Sequence, residues 1–480
     1  MKTPELDSQA HSCGAGNGRP ARALSRWTWP ALLVAAGLAL TAPRAQALPS
    51  FARQMDLQCT ACHTEYPMLN QFGRTFKLTG YTTSAEDSNL PPLAVMLMPS
   101  FTHTSAGQAG GAAPGFNDNN NYAMTQASVF YAGRLFGPYA KDLFGPDVAA
   151  FLNKFGIFSQ MTYDGVAKTW SWDNTELRFA GTTEVGETDV IYGAYWNNNP
   201  GLQDPWNSSP AFSFPFSGSG LAPTPAASTL IEGGLAQQVG GVGFYTLIAN
   251  SLYLDVAGYQ SLATKTQSAL GVDPTGETQL SGTAPYWRLA YEKAVGDGRW
   301  EIGTFGLAAS TYPGRDQSAG TDKFTDIGFD TQYQLSTSTG DIGVMASWIN
   351  EHQKWGASQA LGNTDNSSDS LNSYKLTGTY LYDKTYGVTV QYFDVTGGAD
   401  ATLYGGSATG SPNSDGFVFQ LDYLPLNKNG GPAFWPRSNV KFSLQYVAYN
   451  RFDGARTNYD GAGTNASANN TLYLEAWIVF

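Results

Sequence analysis

The sequence predicts an all-β protein, a single large transmembrane barrel of about sixteen antiparallel strands. Charged residues make up 14% of the chain, well under the roughly 25% of an ordinary soluble protein. Aromatic residues reach 13% and glycine occurs 54 times, a composition that suits membrane strands with aromatic girdles. Outside the leader, no run of about 20 apolar residues occurs, which excludes a polytopic helical membrane protein. A large soluble enzyme is disfavoured, because it would carry more charge and a clearer βα alternation.

Residues 91–480 repeat one pattern, in which roughly ten residues of alternating apolar and polar side chains precede a turn or loop. Such alternation is typical of a strand with one face toward lipid and the other toward the lumen. We count about sixteen segments of this kind, an even number as bacterial outer-membrane barrels require. Clear examples lie at 252–256, 327–333, 374–380, 417–423 and 442–448.

The connections between these segments alternate in length. Short turns are predicted around 295–298, 336–340 and 382–385, and the stretch 134–154 is expected to be less regular and partly helical. Short periplasmic turns and long outer loops are the asymmetry expected of an outer-membrane barrel. The predicted long loops are 198–234, 261–283, 353–371, 397–415 and 451–469.

The chain ends in a strand, 471–480, whose alternate residues from Leu472 to Phe480 share one apolar face. A last strand that closes on a terminal Phe resembles the signal read by the outer-membrane assembly machinery. The alternative is a soluble β-sandwich with a buried last strand. The number of segments, the Tyr and Trp residues and the leader favour the barrel, so we predict a location in the bacterial outer membrane, in contact with its lipid.

Residues 1–47 have the pattern of an export signal peptide. Arg19, Arg22 and Arg26 precede an apolar stretch at 27–42, and the Ala-Gln-Ala at 45–47 supplies a small-residue cleavage site. The alternative is a membrane anchor, but the apolar stretch is short and is interrupted by proline.

Removal of this leader makes the chain more acidic. It takes five basic and two acidic residues from the totals of 27 and 39, which leaves 22 basic and 37 acidic side chains and a net charge near −15. Such a surface is not expected to bind nucleic acid, and it would mildly concentrate cations.

The mature chain keeps two cysteines, in the motif Cys59-Thr60-Ala61-Cys62-His63. Cys-x-x-Cys-His is the attachment sequence of c-type haem. The two thiols bond one porphyrin, and the following imidazole lies over the iron as its proximal ligand. A structural zinc site would need four ligands, and a thioredoxin-type pair would need a βαβ setting. The motif therefore predicts one covalent haem c, held by Cys59 and Cys62 with His63 on the iron.

The distal ligand of the haem iron is less determined by the sequence. Alternation in the strand at 92–101 directs Met96 and Met98 toward the lumen, whereas the same alternation places His103 on the lipid-facing side. Either methionine is a candidate distal ligand, and His/Met ligation would raise the reduction potential. The alternative is that both methionines only fill space beneath the haem. The full set of candidates is His103, His352, Met55, Met68, Met96 and Met98.

The haem segment, 48–90, is too short to form a cytochrome core alone, since chains of about 40 residues bury little surface. An even number of strands leaves both chain termini on the periplasmic side. We therefore expect the segment to pack as a plug into the lumen or its periplasmic mouth, because a sixteen-stranded barrel is wide enough to hold one.

Three stretches resemble a known family: LPSFARQ at 48–54, CTACH at 59–63 and FGRTFKLTGY at 72–81. The chain looks like the fused monohaem cytochrome–porins of the bacterial outer membrane, the iron oxidases of iron-oxidising bacteria. The resemblance implies oxidation of extracellular Fe(II), with the electron passed to a periplasmic c-type cytochrome or copper protein. Arg74 and Lys77 lie in the third stretch and are candidates to pair with the haem propionates, or else they solvate the plug surface.

The sequence is also compatible with other functions. One is a haem-plugged or redox-sensing porin that transports solutes, and another is a conduit that delivers electrons outward to an extracellular acceptor. A hydrolytic enzyme is the least supported function, because the sequence shows no convincing pair of nucleophile and base. Oligomers are possible, since outer-membrane barrels can be trimers. Four acidic residues either attract Fe(II) or are ordinary loop carboxylates: Asp365, Asp369, Asp400 and Asp415.

Overall fold

The computed structural model describes residues 50–84, 91–208, 217–272, 274, 278–432 and 437–480. The predicted signal peptide, 1–47, lies outside the described residues. Sixteen long strands form one sheet in which each strand pairs antiparallel with its neighbours in the chain. The first strand also pairs with the last, from Met96 opposite Val479 to Thr104 opposite Thr471, so the sheet closes into a barrel. The prediction of about sixteen antiparallel strands is therefore confirmed.

The strands are β1 (Leu93–Thr104), β2 (Asn121–Arg134), β3 (Phe155–Asp164), β4 (Thr169–Val185), β5 (Thr188–Asn197), β6 (Val239–Ile248), β7 (Leu252–Ser261), β8 (Ala284–Val295), β9 (Gly298–Tyr312), β10 (Asp322–Ser336), β11 (Gly340–Lys354), β12 (Ser368–Tyr382), β13 (Tyr386–Gly397), β14 (Ser414–Tyr423), β15 (Asn439–Arg451) and β16 (Thr471–Val479). A two-residue strand, Gln279–Leu280, adds to the end of β9. The helices are α1 (Ser50–Met55), α2 (Gln71–Leu78), α3 (Ala140–Phe144), α4 (Pro146–Leu152), α5 (Thr264–Ala269) and α6 (Gly356–Ala360).

The side chains along each strand alternate between the lumen and the outside. On β7, Tyr253 and Asp255 are buried inside, whereas Leu254 and Val256 are exposed on the outer face. A strand directs successive side chains to opposite faces, so one apolar set meets lipid and one polar set fills the lumen. In the described part of the chain, no helix is long and apolar enough to cross a membrane.

The two ends of the barrel differ as the sequence predicts. One end carries the C-terminus and the short turns at 186–187, 249–251, 296–297, 337–339 and 383–385. The connection at 135–154 lies at this same end and contains α3 and α4, so the expectation of a partly helical stretch is confirmed. The opposite end carries the long loops, which include 105–120, 262–283, 355–367, 398–413 and 452–470.

One predicted outer loop does not stay outside. Residues 198–208 fold back into the lumen, where Gln203 and Asp204 are almost fully buried. Farther along the same loop, the backbone N–H of Ile231 donates to Asp326 of β10 over 2.8 Å. The stretch 198–234 is a long connection at the long-loop end as predicted, but described parts of it pack inside the barrel, because their polar groups find partners on the inner wall. We call residues 198–208 the inserted loop.

The N-terminal segment, 50–84, packs inside the barrel at the short-turn end. Gln334, two residues before β10 ends, accepts a hydrogen bond of 2.8 Å from Arg74. Tyr245, near the end of β6, donates to the carbonyl of Leu78 over 2.6 Å. Ser50 donates to the carbonyl of Ala132 on β2. These inward-facing partners lie on widely spaced strands, so the wall surrounds the segment.

Candidate functional site

A cavity of about 330 Å³ lies between the N-terminal segment, the inner wall of the first strands and the inserted loop. This size falls within the range of ligand pockets in proteins. Most of the side chains that line it are apolar or aromatic, and a few polar groups lie among them. The large apolar members include Phe51, Leu57, Phe76, Phe130, Phe158, Trp206 and Trp477.

Cys59, Cys62 and His63 lie together on one side of this cavity. A single 3₁₀ turn, Cys59–Ala61, positions them, because the backbone N–H groups of Cys62 and His63 both donate to the carbonyl of Cys59, at 3.1 and 3.0 Å. Residues one turn apart project from the same side of such a helix. Both cysteines are free thiols, and burial raises the pKa of each to about 11.

Two residues that the sequence did not single out hold this turn in place. The amide of Asn70 donates to the carbonyl of Ala61 over 3.0 Å, while its oxygen accepts from the backbone N–H of Gly73 and caps α2. A Cβ atom at Gly73 would lie 2.3 Å from the carbonyl oxygen of Cys62. Only glycine therefore allows α2 to pack this closely against the motif.

The imidazole of His63 is held in one tautomer. Its Nδ1 lies 2.8 Å from the carbonyl oxygen of Pro67, which can only accept, so Nδ1 carries the proton. Although the ring lines the cavity, burial lowers its pKa to about 4. His63 is therefore neutral at ordinary pH with its lone pair on Nε2, which is the form that binds a metal ion.

The methionines of β1 point inward as predicted, but only one reaches the cavity. Met96 and Met98 are both buried, and Met96 lines the cavity whereas Met98 packs beside it in the wall. His103 is excluded as a distal ligand. Its Nδ1 lies 2.9 Å from the side-chain oxygen of Asn120, and the residue does not line the cavity. Met68 also lines the cavity, but the end of its side chain turns toward Gly343 of the wall. The structure thus favours Met96 over Met98 as the candidate distal ligand.

Arg74 does not lie where the sequence predicted it. Its guanidinium forms an ion pair with Glu292 over 2.7 Å and donates to Gln334, and it lies over the ring of Trp206. It does not line the cavity. The propionate role is therefore not supported for Arg74, and the alternative of a solvated surface residue is also wrong, because Arg74 is buried.

Lys77 does line the cavity. Its ammonium donates to the carbonyl oxygens of Leu202 and Asp204 in the inserted loop, at 2.6 and 3.1 Å. Burial lowers its pKa to about 8, so the group remains largely protonated at neutral pH. An ammonium held against a mostly apolar cavity suits an anionic group of a ligand. Because Lys77 is buried, the alternative that it solvates the plug surface is wrong.

The acidic residues predicted as possible Fe(II) attractors are engaged in the loop structure. Asp400 is buried and accepts hydrogen bonds from Thr364 and from four backbone N–H groups. Asp415 pairs with Arg451 over 2.9 Å, and Asp369 accepts from Trp355. Asp365 accepts from Thr402. The contacts favour the alternative, in which these are structural loop carboxylates.

The residues that anchor the inserted loop over the cavity were not predicted from the sequence. Arg288 of β8 forms ion pairs of 3.0 to 3.1 Å with Asp204 of the loop, Glu301 of β9 and Asp330 of β10. All four side chains are almost completely buried. The alternation of side chains along the strands predicts that Arg288, Glu301 and Asp330 face the lumen. Nothing in the sequence shows that the loop folds back to contact them.

Within the ranges that the structure describes, no three His, Cys, Asp or Glu side chains converge as a metal site. The groups that could hold a cofactor in the cavity include the thiols and imidazole of the motif, the thioethers of Met55, Met68 and Met96, and the ammonium of Lys77.

Comparison with known proteins finds similar architecture only. No family model matches the sequence, and no curated protein matches it. Among solved structures, OmpT of Vibrio cholerae is similar at 12% identity and a TM-score of 0.40, covering 81% of this chain and 96% of that one. The anion-selective porin from Comamonas acidovorans has 12% identity and a TM-score of 0.43, covering 81% and 98%. The DcaP channel of Acinetobacter baumannii has 11% identity and a TM-score of 0.43, covering 81% and 96%.

The class of the protein follows from its own architecture. A closed barrel of sixteen antiparallel strands, apolar outside and polar inside, is a porin-like β-barrel of the bacterial outer membrane. Here the N-terminal segment and the inserted loop both contact the inner wall of the barrel.

Proposed function

We propose that this barrel is an outer-membrane cytochrome c that oxidises extracellular Fe(II) and passes the electron to a periplasmic carrier. It would be a member of the fused monohaem cytochrome–porins that its motifs resemble. One observation carries the proposal: the two thiols and the imidazole of a c-type haem motif line a mostly apolar cavity inside the barrel. The chemistry supplied by a bound haem is reversible one-electron transfer, in which Fe(II) becomes Fe(III) and the electron goes on to a periplasmic c-type cytochrome or copper protein.

The residues of the cavity fit such a group. Cys59 and Cys62 are unpaired and one turn apart, which suits two bonds to one porphyrin. Because Nδ1 of His63 donates to Pro67, the lone pair of the imidazole is on Nε2. Lys77 offers a cation for a propionate, and Met96 offers a thioether for the distal side of the iron. The aromatic wall lowers the local polarity, which is one means by which a protein sets a reduction potential.

The architecture suits transfer across the membrane. The cavity lies among residues near the short-turn end of the strands, so a periplasmic acceptor would approach from that end. Fe(II) would have to enter from the long-loop end, past the inserted loop. Oxidation outside the cell keeps insoluble ferric products away from the cytoplasm and periplasm.

The direct test is a visible spectrum of the protein, produced in a cell able to mature c-type cytochromes and purified in detergent, after addition of Fe(II) at several pH values. We expect the reduced haem c band to appear promptly, and dithionite to add little further reduction. If dithionite reduces the haem and Fe(II) never does, the iron-oxidase function is wrong, and an outward conduit or a redox-sensing porin takes its place. If no haem c band appears with either reductant, the cytochrome function itself is wrong.

A matched pair of variants tests the distal side. Met96→Ala is expected to lower the reduction potential and to convert the haem to a high-spin spectrum, because the thioether ligand that favours the reduced iron is lost. Met98→Ala removes a buried methionine from the same face of the same strand, yet it does not line the cavity, so both properties should stay unchanged. Equal spectra and potentials in the two variants would show that Met96 is only a packing residue.

A further inference from the structure

Two short helices on the outer side of the barrel carry exposed apolar side chains. They are α3 and α4, which connect β2 to β3 at the short-turn end. Leu143 is 65% exposed, Phe151 is 56% exposed and Val148 is 49% exposed, with Phe144 beside them. We call these four residues the apolar patch. A contiguous patch of large apolar side chains at a protein surface indicates contact with a partner or a membrane.

Phe151 joins the patch to the lipid-facing wall of the barrel. Its ring centroid lies 5.4 Å from that of Phe155 and 6.5 Å from that of Phe179. Phe155 and Phe179 are register partners on β3 and β4. Both point outward, since the flanking positions Arg178 and Ala180 are buried on the inner face of β4. The apolar patch is therefore continuous with the face of the barrel that meets lipid.

The patch also lies at the edge of the membrane-spanning part of the wall. Phe155 is the first of the ten residues of β3, and about 9–11 residues are enough for one crossing. β4 continues six residues past Phe179 to Val185, and its exposed hairpin carries Glu184 and Glu187. The charged hairpin is expected to lie in water beyond the lipid headgroups. Since Phe155 and Phe179 lie several residues deeper, α3 and α4 connect to the wall near the boundary between hydrocarbon and headgroups.

We propose that α3 and α4 form an interfacial anchor in the periplasmic leaflet, with the apolar patch among the lipid acyl chains. The occupant is phospholipid, because the patch continues the lipid-facing surface through Phe151, Phe155 and Phe179. Interfacial helices bury one apolar face at the boundary between headgroups and acyl chains. The anchor would fix the barrel's depth in the bilayer, and it is independent of what the cavity binds.

Nitroxide labels on the full chain in phosphatidylcholine vesicles test this anchor. Leu143→Cys and Val148→Cys report on the patch, and Val185→Cys is the matched control, since Val185 is also 65% exposed but lies on the hairpin. The unsubstituted protein gives the background from Cys59 and Cys62. We expect labels at 143 and 148 to favour collisions with oxygen, which partitions into lipid, severalfold over collisions with a water-soluble nickel chelate. The label at 185 should show the opposite preference.

Two results would overturn the anchor. If the labels at 143 and 148 collide with the nickel chelate as readily as the label at 185, the patch lies in water and is free for a soluble protein. If they are shielded from oxygen and chelate alike, the patch is covered by protein, either a second barrel or another chain.

Discussion

Replacement of both Cys59 and Cys62 with serine is expected to remove covalently bound haem completely. The two thiols lie one turn apart on the same cavity, and the one further cysteine of the sequence, Cys13, falls in the predicted signal peptide. Denaturing electrophoresis followed by haem staining measures the result, because only a covalent haem survives denaturation. Both substitutions are small and lie in the N-terminal segment, so the barrel should still fold and keep the heat-dependent mobility of outer-membrane barrels.

Thr60→Ser is the matched control, since it changes the residue after Cys59 and leaves both thiols in place. We expect this variant to stain for haem as strongly as the unsubstituted protein. Haem that persists on the denatured double variant would contradict the assignment. An unsubstituted protein that carries no covalent haem, although produced in a cell able to mature c-type cytochromes, would contradict it as well.

Arg288→Met is expected to destabilise the barrel by about 3–5 kcal/mol, which is typical when one partner of a buried ion pair is removed. Methionine keeps much of the length of the side chain but leaves Asp204, Glu301 and Asp330 buried without their shared cation. Asp204 belongs to the inserted loop, and its ion pair with Arg288 attaches the loop to the wall. Loss of this ion pair should free the loop and widen the lumen. Urea unfolding in detergent measures the loss of stability, and single-channel recording should show a higher conductance.

Arg451→Met provides the control for the same change at the rim of the barrel. Arg451 pairs with Asp394 and Asp415, but it is about one third exposed, so solvent screens these pairs. We expect little change in stability or conductance. Equal effects in the two variants would show that Arg288 does not hold the loop in place. Unchanged conductance with lowered stability would show that the loop keeps its position through Arg178 and Lys77, which also contact it.

The barrel could be predicted from the sequence because its physical signal is local. Alternation in β7 or β16 is visible within ten residues, since a strand turns successive side chains to opposite faces and lipid demands one apolar face. The same parity gave the inward direction of Met96 and Met98. The motif from Cys59 to His63 was equally local, because its chemistry depends on the spacing of three residues.

The positions of Arg74, Met98 and the stretch 198–234 were predicted less well, because each depends on partners far along the chain. Arg74 turns to Glu292, more than two hundred residues away, and its charge is neutralised there instead of at the cavity. Met98 faces inward as Met96 does, but the surrounding wall keeps it from the cavity. The inserted loop is polar, as an exposed loop would be, and only its contact with Arg288 reveals that it lies inside.

The sequence by itself determined the class of barrel, the alternation of its faces and the three residues of the motif, since each is written in neighbouring residues. The tertiary structure decided which side chains share the cavity and how its outer side is closed. The reason is that a closed barrel brings together residues from distant strands, and buried charges such as Arg74, Lys77 and Arg288 settle against whichever partners that closure supplies.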